Sequence, residues 1–294
     1  MVNFPGKLNT VAQDTDTYLK RVFSKQNSKS HLIEPMKYSV FSGGKRFRSA
    51  IVVNTGKIFG IDYKKLIIIG AAVECLHTYS LIHDDLPSMD NDDLRRGTLS
   101  THKKFNEFTA ILAGNSLLTL AFEILSSNDL KVSQKIKAEL IRALSNCSGH
   151  SGLAGGQYSD LTFENKNISK KNIINMQKKK TGELSGFCCE SIAVVNKENI
   201  KKRKLLREIG IQIGLLFQIV DDLIDYKEDK GKVKKLIKND KKKGKATLVN
   251  LLGYDGALNF AENLEKKLDK KIKKYGTKAY DLLESIKFIL KREF

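Results

Sequence analysis

The residues with the most chemistry in them lie in Leu81-Ile-His-Asp-Asp-Leu-Pro-Ser-Met-Asp-Asn-Asp-Asp-Leu-Arg-Arg-Gly97, where Asp84 and Asp85 are followed by Asp90 and then by Arg95 and Arg96. Carboxylates at this density repel one another unless cations sit among them. They end residues 66–82, an apolar run that predicts a buried helix. A helix C-terminus carries partial negative charge, so aspartates there meet the wrong pole of the macrodipole. A divalent metal resolves that fault. A second set, Asp221, Asp222 and Asp225, ends another apolar helix, in which Leu206, Ile209, Ile213, Leu216, Val220 and Ile224 recur at spacings of three and four. Gln218, Asp221 and Asp225 then share one polar stripe, with Asp222 beside it. Hard oxygen donors with little His or Cys nearby suit Mg²⁺, which takes one or two carboxylates and completes its shell with phosphate oxygens.

These groups need elements to hold them, and the periodicity supplies helices throughout. Residues 11–23 predict a short amphipathic helix, and residues 35–59 a helical stretch containing Ser42-Gly-Gly-Lys-Arg-Phe-Arg48, whose glycines imply a bend or a close backbone approach. Lys45 and Arg48 lie three apart, on one face of a turn, where a single anion could meet both; an Arg fork with a Lys point charge suits a diphosphate. In the core helix Glu74, His77, Ser80 or Leu81, and Asp84 fall near one stripe. Further helices are predicted at 105–125 and 132–148, followed by Gly152-Leu-Ala-Gly-Gly-Gln-Tyr-Ser-Asp-Leu161, read as either a tight helix contact beside a site or an interhelix turn. Ser169 caps a helix to about Val195, in which Lys180, Thr181 and Gly182 interrupt an apolar face. Residues 227–245 are Lys-rich and poorly periodic, suited to a flap over a polyanion. Residues 248–274 and 279–292 complete the helices. Convincing alternating strands are absent, and nothing resembling a linker divides the 294 residues, so the expectation is one all-α domain spanning 1–294.

The formal charge of +19 invites a nucleic-acid reading, but much of it comes from short Lys runs, and no zinc-finger spacing, RNA-recognition signature or basic region with heptads is present. No nucleic-acid partner is expected. Four cysteines (Cys75, Cys147, Cys188, Cys189) without metal spacing imply buried free thiols and a reducing, cytoplasmic location. The N-terminus lacks a signal-peptide apolar region, and the run ending at Ile82 carries Glu74 and His77 and is marginally short for a membrane span, so no stable membrane anchor is expected.

With both aspartate sets and the Gly-Gly-Lys-Arg-Phe-Arg turn in view, the sequence from about Met36 to Arg292 resembles the trans-isoprenyl diphosphate synthases, most of all the bacterial short-chain enzymes that make farnesyl diphosphate. Asp84-Asp85-Leu-Pro-Ser-Met-Asp90 is similar to the first aspartate-rich motif of that family, and Asp221-Asp222-Leu-Ile-Asp225 to the second. The resemblance implies an all-α isoprenoid synthase fold with a central cavity, the motifs facing each other across its mouth, and a homodimer. It implies about three Mg²⁺ on the allylic diphosphate, held by Asp84, Asp90 and Asp221 with Asp85, Asp222 and Asp225 in support. Arg95 and Lys180 would bind the same diphosphate, and Lys235 and Lys245 align as diphosphate contacts. Lys45, Arg48, His77 and Arg96 would bind isopentenyl diphosphate, and Thr181 and Gln218 would stabilise the allylic cation. Tyr79, with small Ser80 beside it, would limit the tail to fifteen carbons made from dimethylallyl and geranyl diphosphate.

The chain departs from the family pattern at Ser49, where Pro is usual, at Lys232-Val-Lys-Lys235, where Thr-Leu-Gly precedes a Lys, and at Lys245-Ala-Thr-Leu-Val249, where Pro is usual at the last position. These changes bear on turn rigidity and flap closure. The rival readings are a ten- or twenty-carbon synthase, a terpene cyclase, a non-catalytic partner subunit and a basic polyanion-binding protein. A cyclase has no use for a second diphosphate site, and a silent subunit should have lost aspartates that this chain keeps.

Overall fold

The computed structural model describes residues 3–26, 30–233 and 244–292, with side chains of the helix ending at Val233 described as far as Lys227. Among these residues there are thirteen α-helices and one hairpin of two-residue strands, so the all-α expectation holds. The chain forms two compact units, residues 1–142 with 194–196 and residues 143–193 with 197–294.

The first unit is built on α4 (Tyr63–Asp84), which starts at an Asp62 cap accepting from the Lys65 N–H at 3.3 Å and is buried at every position from Leu66 to Leu76. That helix is enclosed because α1 (Phe4–Ser24), α3 (Phe47–Ile58) and α6 (Glu107–Ser126) pack around it. Its 22 residues, like the 20 of α6, are long and apolar enough to cross a membrane, so the expectation that this run falls short is corrected. What distinguishes α4 is that 78% of its apolar window is buried in the protein, against 44% for α6. Helix α1 begins seven residues before the expected 11–23 segment because Asn3 accepts from the Gly6 N–H at 3.0 Å and Pro5 sits in the first turn. The expected helix over 35–59 is two helices, α2 (Ile33–Val40) and α3. Gly43, Gly44 and Arg46 between them have φ of 98°, 114° and 46°, which no helix accommodates.

After α4 the chain makes a hairpin, β1 (Leu94–Arg95) against β2 (Thr98–Leu99), which the sequence did not reveal. Arg96 and Gly97 at its tip both have positive φ, 53° and 79°, the pattern that matches a two-residue turn to strand twist. Then come α5 (Thr101–Lys104), α6 and α7 (Gln134–Ser148), close to the expected helices at 105–125 and 132–148.

The second unit holds α8 (Leu153–Thr162), α9 (Lys170–Gln177), α10 (Glu183–Val195), α11 (Ile200–Val233), α12 (Leu248–Ile272) and α13 (Tyr280–Leu290). Ser169 caps α9 as expected, accepting from the Asn172 N–H at 3.3 Å. Between α9 and α10 the backbone widens into a π-helical turn at Lys178–Gly182, an inserted-residue feature that recurs at functional sites. The glycine-rich stretch after Gly152 is helix rather than turn. A Cβ on Gly156 would lie 2.1 Å from the Lys180 amide nitrogen, so only glycine admits this approach of α8 to the π turn. The second aspartate set does not end its helix: α11 continues eight residues past Asp225, because Tyr226-Lys-Glu-Asp-Lys contains no breaker. The macrodipole argument therefore applies to Asp84 and not to Asp221. All four cysteines are buried free thiols.

Candidate active site

In the first unit, Asp84 is the last residue of α4 and Asp85 its C-cap. The loop then folds back on the helix end, with the Asp90 N–H donating to the Asp84 carbonyl at 2.9 Å and the Asp92 N–H to the Asp85 carbonyl at 3.2 Å. These bonds bring Asp90 alongside Asp84 at the backbone. Asp85 is buried, and Arg95 donates to it through Nε at 2.9 Å and through Nη2. Burial pushes the Asp85 carboxyl up while the Arg95 guanidinium opposes the shift. Arg95 also reaches Asp92 at 3.4 Å, so it braces the acidic loop.

A basic pocket occupies the same unit. Arg48 Nη1 lies 3.1 Å from His77 Nε2. Since a guanidinium only donates, Nε2 is the bare nitrogen and the ring proton sits on Nδ1. Burial, then the charges of Arg48, Arg96, Arg46 and Arg95, hold His77 well below the ordinary histidine range, so it is neutral. Arg48 Nε is buried with no partner, a donor left waiting for an acceptor. The Arg96 guanidinium donates to the Gly43 carbonyl and lies where a Cβ on Gly44 would be, at 2.5 Å. Lys45 is exposed in the turn, which is not helical and joins it to Arg48. The rigidity that Ser49 brought into question is supplied by Glu74, whose Oε1 accepts from the Ser49 N–H at 3.1 Å and its hydroxyl at 3.3 Å.

Two further positions lie on α4. Ser80 is buried, its hydroxyl donating to the His77 carbonyl at 2.8 Å. Tyr79 packs edge-on against His83 with ring centroids 4.8 Å apart.

In the second unit a hydrogen-bonded chain runs through the aspartate set. Thr181 donates to Gln218 Oε1 at 2.8 Å, Gln218 Nε2 to Asp222 Oδ1 at 2.9 Å, and Gln177 Nε2 to Asp222 Oδ2 at 2.7 Å. Burial, reinforced by Asp221, Asp225 and Asp160, raises the Asp222 carboxyl to about 7 although Gln218 opposes it. Asp222 is thus a fixed acceptor that orients Gln218. Lys180 pairs with the buried Asp160 at 2.5 Å. Arg292 donates to Asp221 Oδ1 at 2.6 Å, its guanidinium 4.6 Å from the Phe217 ring centroid. Asp225 is exposed. Lys245 lines a cavity of ≈ 580 Å³ with Asn165, Lys166, Ser169 and Thr247, and none of Asp221, Asp222 and Asp225 lines it. Lys235 and most of the expected flap lie outside the described residues.

No group of three or more His, Cys, Asp or Glu that could hold a metal is preassembled among the described residues. Oxygen-only donors in ones and twos are what Mg²⁺ uses when phosphates complete its shell, so the donor set fits that ion.

A polyprenyl synthetase family model matches residues 29–286. The chain belongs to the polyprenyl synthetase family. It is 38% identical over 268 residues to farnesyl diphosphate synthase of Escherichia coli K12, covering 90% of this chain and 89% of that one. Its structure is similar to an apo FPP/GFPP synthase from Zymomonas mobilis, with a TM-score of 0.86, 38% identity and coverage of 98% and 99%. It is also similar to a Helicobacter pylori geranyltransferase solved with magnesium and isoprenyl diphosphate, with a TM-score of 0.80, 28% identity and coverage of 99% and 97%.

Within this polyprenyl synthetase Arg46, Gln177 and Arg292 take roles that local pattern does not assign. Arg46 is one of several basics in the turn, and nothing in its spacing marks it as buried. Gln177 lies one turn before Lys180, and only the polar stripe that they share points to it. Arg292 meets Asp221 from 71 residues away, beyond the reach of any local pattern.

Proposed function

We propose that this chain is a Mg²⁺-dependent trans-prenyltransferase condensing isopentenyl diphosphate with dimethylallyl and geranyl diphosphate to give (2E,6E)-farnesyl diphosphate. One observation carries the choice of reaction. The first unit contains both an acidic loop, suited to a diphosphate through metal, and a separate arginine pocket, suited to a diphosphate directly. Two unlike diphosphate sites serve a bimolecular condensation; a cyclase needs one.

The carboxylates of each set, Asp84 and Asp90 in one and Asp221 in the other, would hold magnesium ions, for which the family resemblance supplies a count of about three. Bound there, the metal neutralises the allylic diphosphate and makes it a competent leaving group. Lys180, fixed by Asp160, would add a cation for a diphosphate at Asp221, and Arg95 one beside Asp85. Breaking the allylic C–O bond leaves a delocalised carbocation. The Thr181 hydroxyl and the Gln218 carbonyl, preset by the chain to Asp222, offer dipoles to that charge without reorganising. Arg48, Arg96, Lys45 and neutral His77 hold isopentenyl diphosphate. Its double bond attacks the cation, and the new cation loses a proton to the released diphosphate, since no side chain at these positions is a strong base. The products are the lengthened diphosphate and diphosphate ion. Tyr79 and Ser80 would set its length.

A homodimer is supported by α6, which leaves Phe108, Ile111 and Leu112 exposed at 67%, 41% and 49% along one apolar stripe. Incubating the purified chain with isopentenyl and geranyl diphosphates, then sizing the dephosphorylated prenols, tests the function. No fifteen-carbon alcohol would end this reading.

A further inference from the structure

The basic turn between α2 and α3 is a costly piece of backbone. Arg46 is a non-glycine residue in the left-handed region, with φ of 46°, a conformation that crowds its Cβ. Its side chain is 3% exposed, so its charge is buried as well. Two acceptors, Asp16 Oδ1 at 2.8 Å and the Val40 carbonyl at 2.5 Å, and an ion pair with Glu74 Oε2 at 3.9 Å compensate it. Arg46 is also the N-cap of α3 and gives that helix no side-chain cap. A helix start leaves its first N–H groups without partners. Glu74, from a different helix, accepts one of them, the Ser49 N–H at 3.1 Å, and the Ser49 hydroxyl at 3.3 Å.

Glu74 is itself 2% exposed and lies one turn before His77 on α4. Its two oxygens therefore tie together the residue before Phe47 and the residue after Arg48. Arg48 is held between those ties, with its Nη1 on His77 and its Nε unpartnered. The far side of the turn is held by Arg96 on Gly43 and Gly44.

We propose that Glu74 is a positioning residue for the arginine pocket. By capping α3 from α4 and anchoring Arg46, it fixes the turn from which Lys45 and Arg48 meet the diphosphate of the non-allylic substrate. Glu74 does not touch that substrate. A carboxylate beside an anion site opposes anion binding by charge alone, so its contribution must come through geometry. Removing it should weaken diphosphate binding even though a negative charge is lost. A purely electrostatic role predicts the opposite sign.

The inference rests on the reaction proposed above, so its test carries a readout independent of turnover. Calorimetric titration of inorganic diphosphate into the protein in chelator reads the arginine pocket without metal. Glu74→Ala should weaken that binding about tenfold or more, the loss of a charge-assisted contact. It should raise KM for isopentenyl diphosphate equally, with KM for geranyl diphosphate within about twofold. Glu74→Gln keeps an oxygen for Ser49 and should stay within about threefold of wild type in both. A merely structural role would lower Tm and active fraction in both variants and leave KM alone. Diphosphate affinity and KM unchanged, or tighter, in folded Glu74→Ala would overturn the proposal. If Glu74→Ala does not fold, Ser49→Ala decides: about threefold weaker binding supports the proposal and unchanged binding refutes it. Diphosphate binding that depends on Glu74 in a protein that makes no prenol would sink the reaction and leave the positioning role standing.

Discussion

Replacing Tyr79 with alanine should lengthen the product by at least one isoprene unit. At 1.5 Å per residue, Ser80 lies about 6 Å and Tyr79 about 7.5 Å down α4 from Asp84. With about 100° of turn per residue, Ser80 stays within about 40° of the Asp84 line while Tyr79 stands about 140° away. The structure gives that divergence physical content. Tyr79 packs on His83, whose Nε2 lies 3.1 Å from the Ile111 carbonyl on α6, whereas Ser80 bonds back to its own helix. Removing the phenol clears a volume comparable to five carbons, and burying that many carbons gains about 4 kcal/mol at ~0.8 per CH₂. Forcing the same unit past the intact ring meets overpacking of about 1–3 kcal/mol. The loss of the Tyr79–His83 contact costs about 0.5–1.5 kcal/mol of stability, which lowers Tm but does not bear on partition. Taking only the overpacking relieved, about 1–3 kcal/mol, the twenty-to-fifteen-carbon ratio moves by roughly five- to 150-fold. Ser80→Phe should do the reverse and stop the tail at ten carbons. Labelled isopentenyl diphosphate, phosphatase treatment and chromatography of the prenols read both variants. A fifteen-carbon product from both would show that the floor of the cavity is built by other residues.

Asp84→Ala and Asp221→Ala should each lower turnover by orders of magnitude with the circular-dichroism spectrum preserved, and chelation of Mg²⁺ should abolish wild-type turnover; full rate in chelator refutes the metal reading. Lys45→Ala and Arg48→Ala should raise KM for isopentenyl diphosphate roughly ten- to a hundredfold, and a rise in the allylic KM instead would reverse the two site assignments. Asp222 is held at about 7 against an ordinary 3.8, so the folded protein binds the extra proton. Metal-free protein should therefore lose stability as pH climbs from about 4 through 7, and Asp222→Asn should flatten that slope; urea melts in chelator showing the same slope in both would refute the assignment. Leu112→Glu on α6 should yield monomer by light scattering, and an unchanged mass would remove α6 from the interface.

The sequence by itself determined the core helices, because the apolar periods at 66–82 and 206–224 are long and helical in spacing. It marked the two aspartate sets and their suitability for a hard divalent cation, because adjacent carboxylates with little His or Cys nearby suit few other partners. The Ser169 cap and the buried thiols were equally legible, since both follow from local residue type. Only the tertiary structure decided how the basic residues divide their work. Arg46, Arg48, Arg95 and Arg96 are alike as letters, yet one is buried against Asp16 and Glu74, one faces His77, one braces Asp85, and one covers Gly44. Likewise Asp221 and Asp222 are neighbours in sequence, but one meets Arg292 and the other receives two amides. A charged side chain takes its role from the partners that compensate its burial, and those partners come from other elements. Local spacing carries helix and cap; it carries no record of which distant oxygen a buried guanidinium will find.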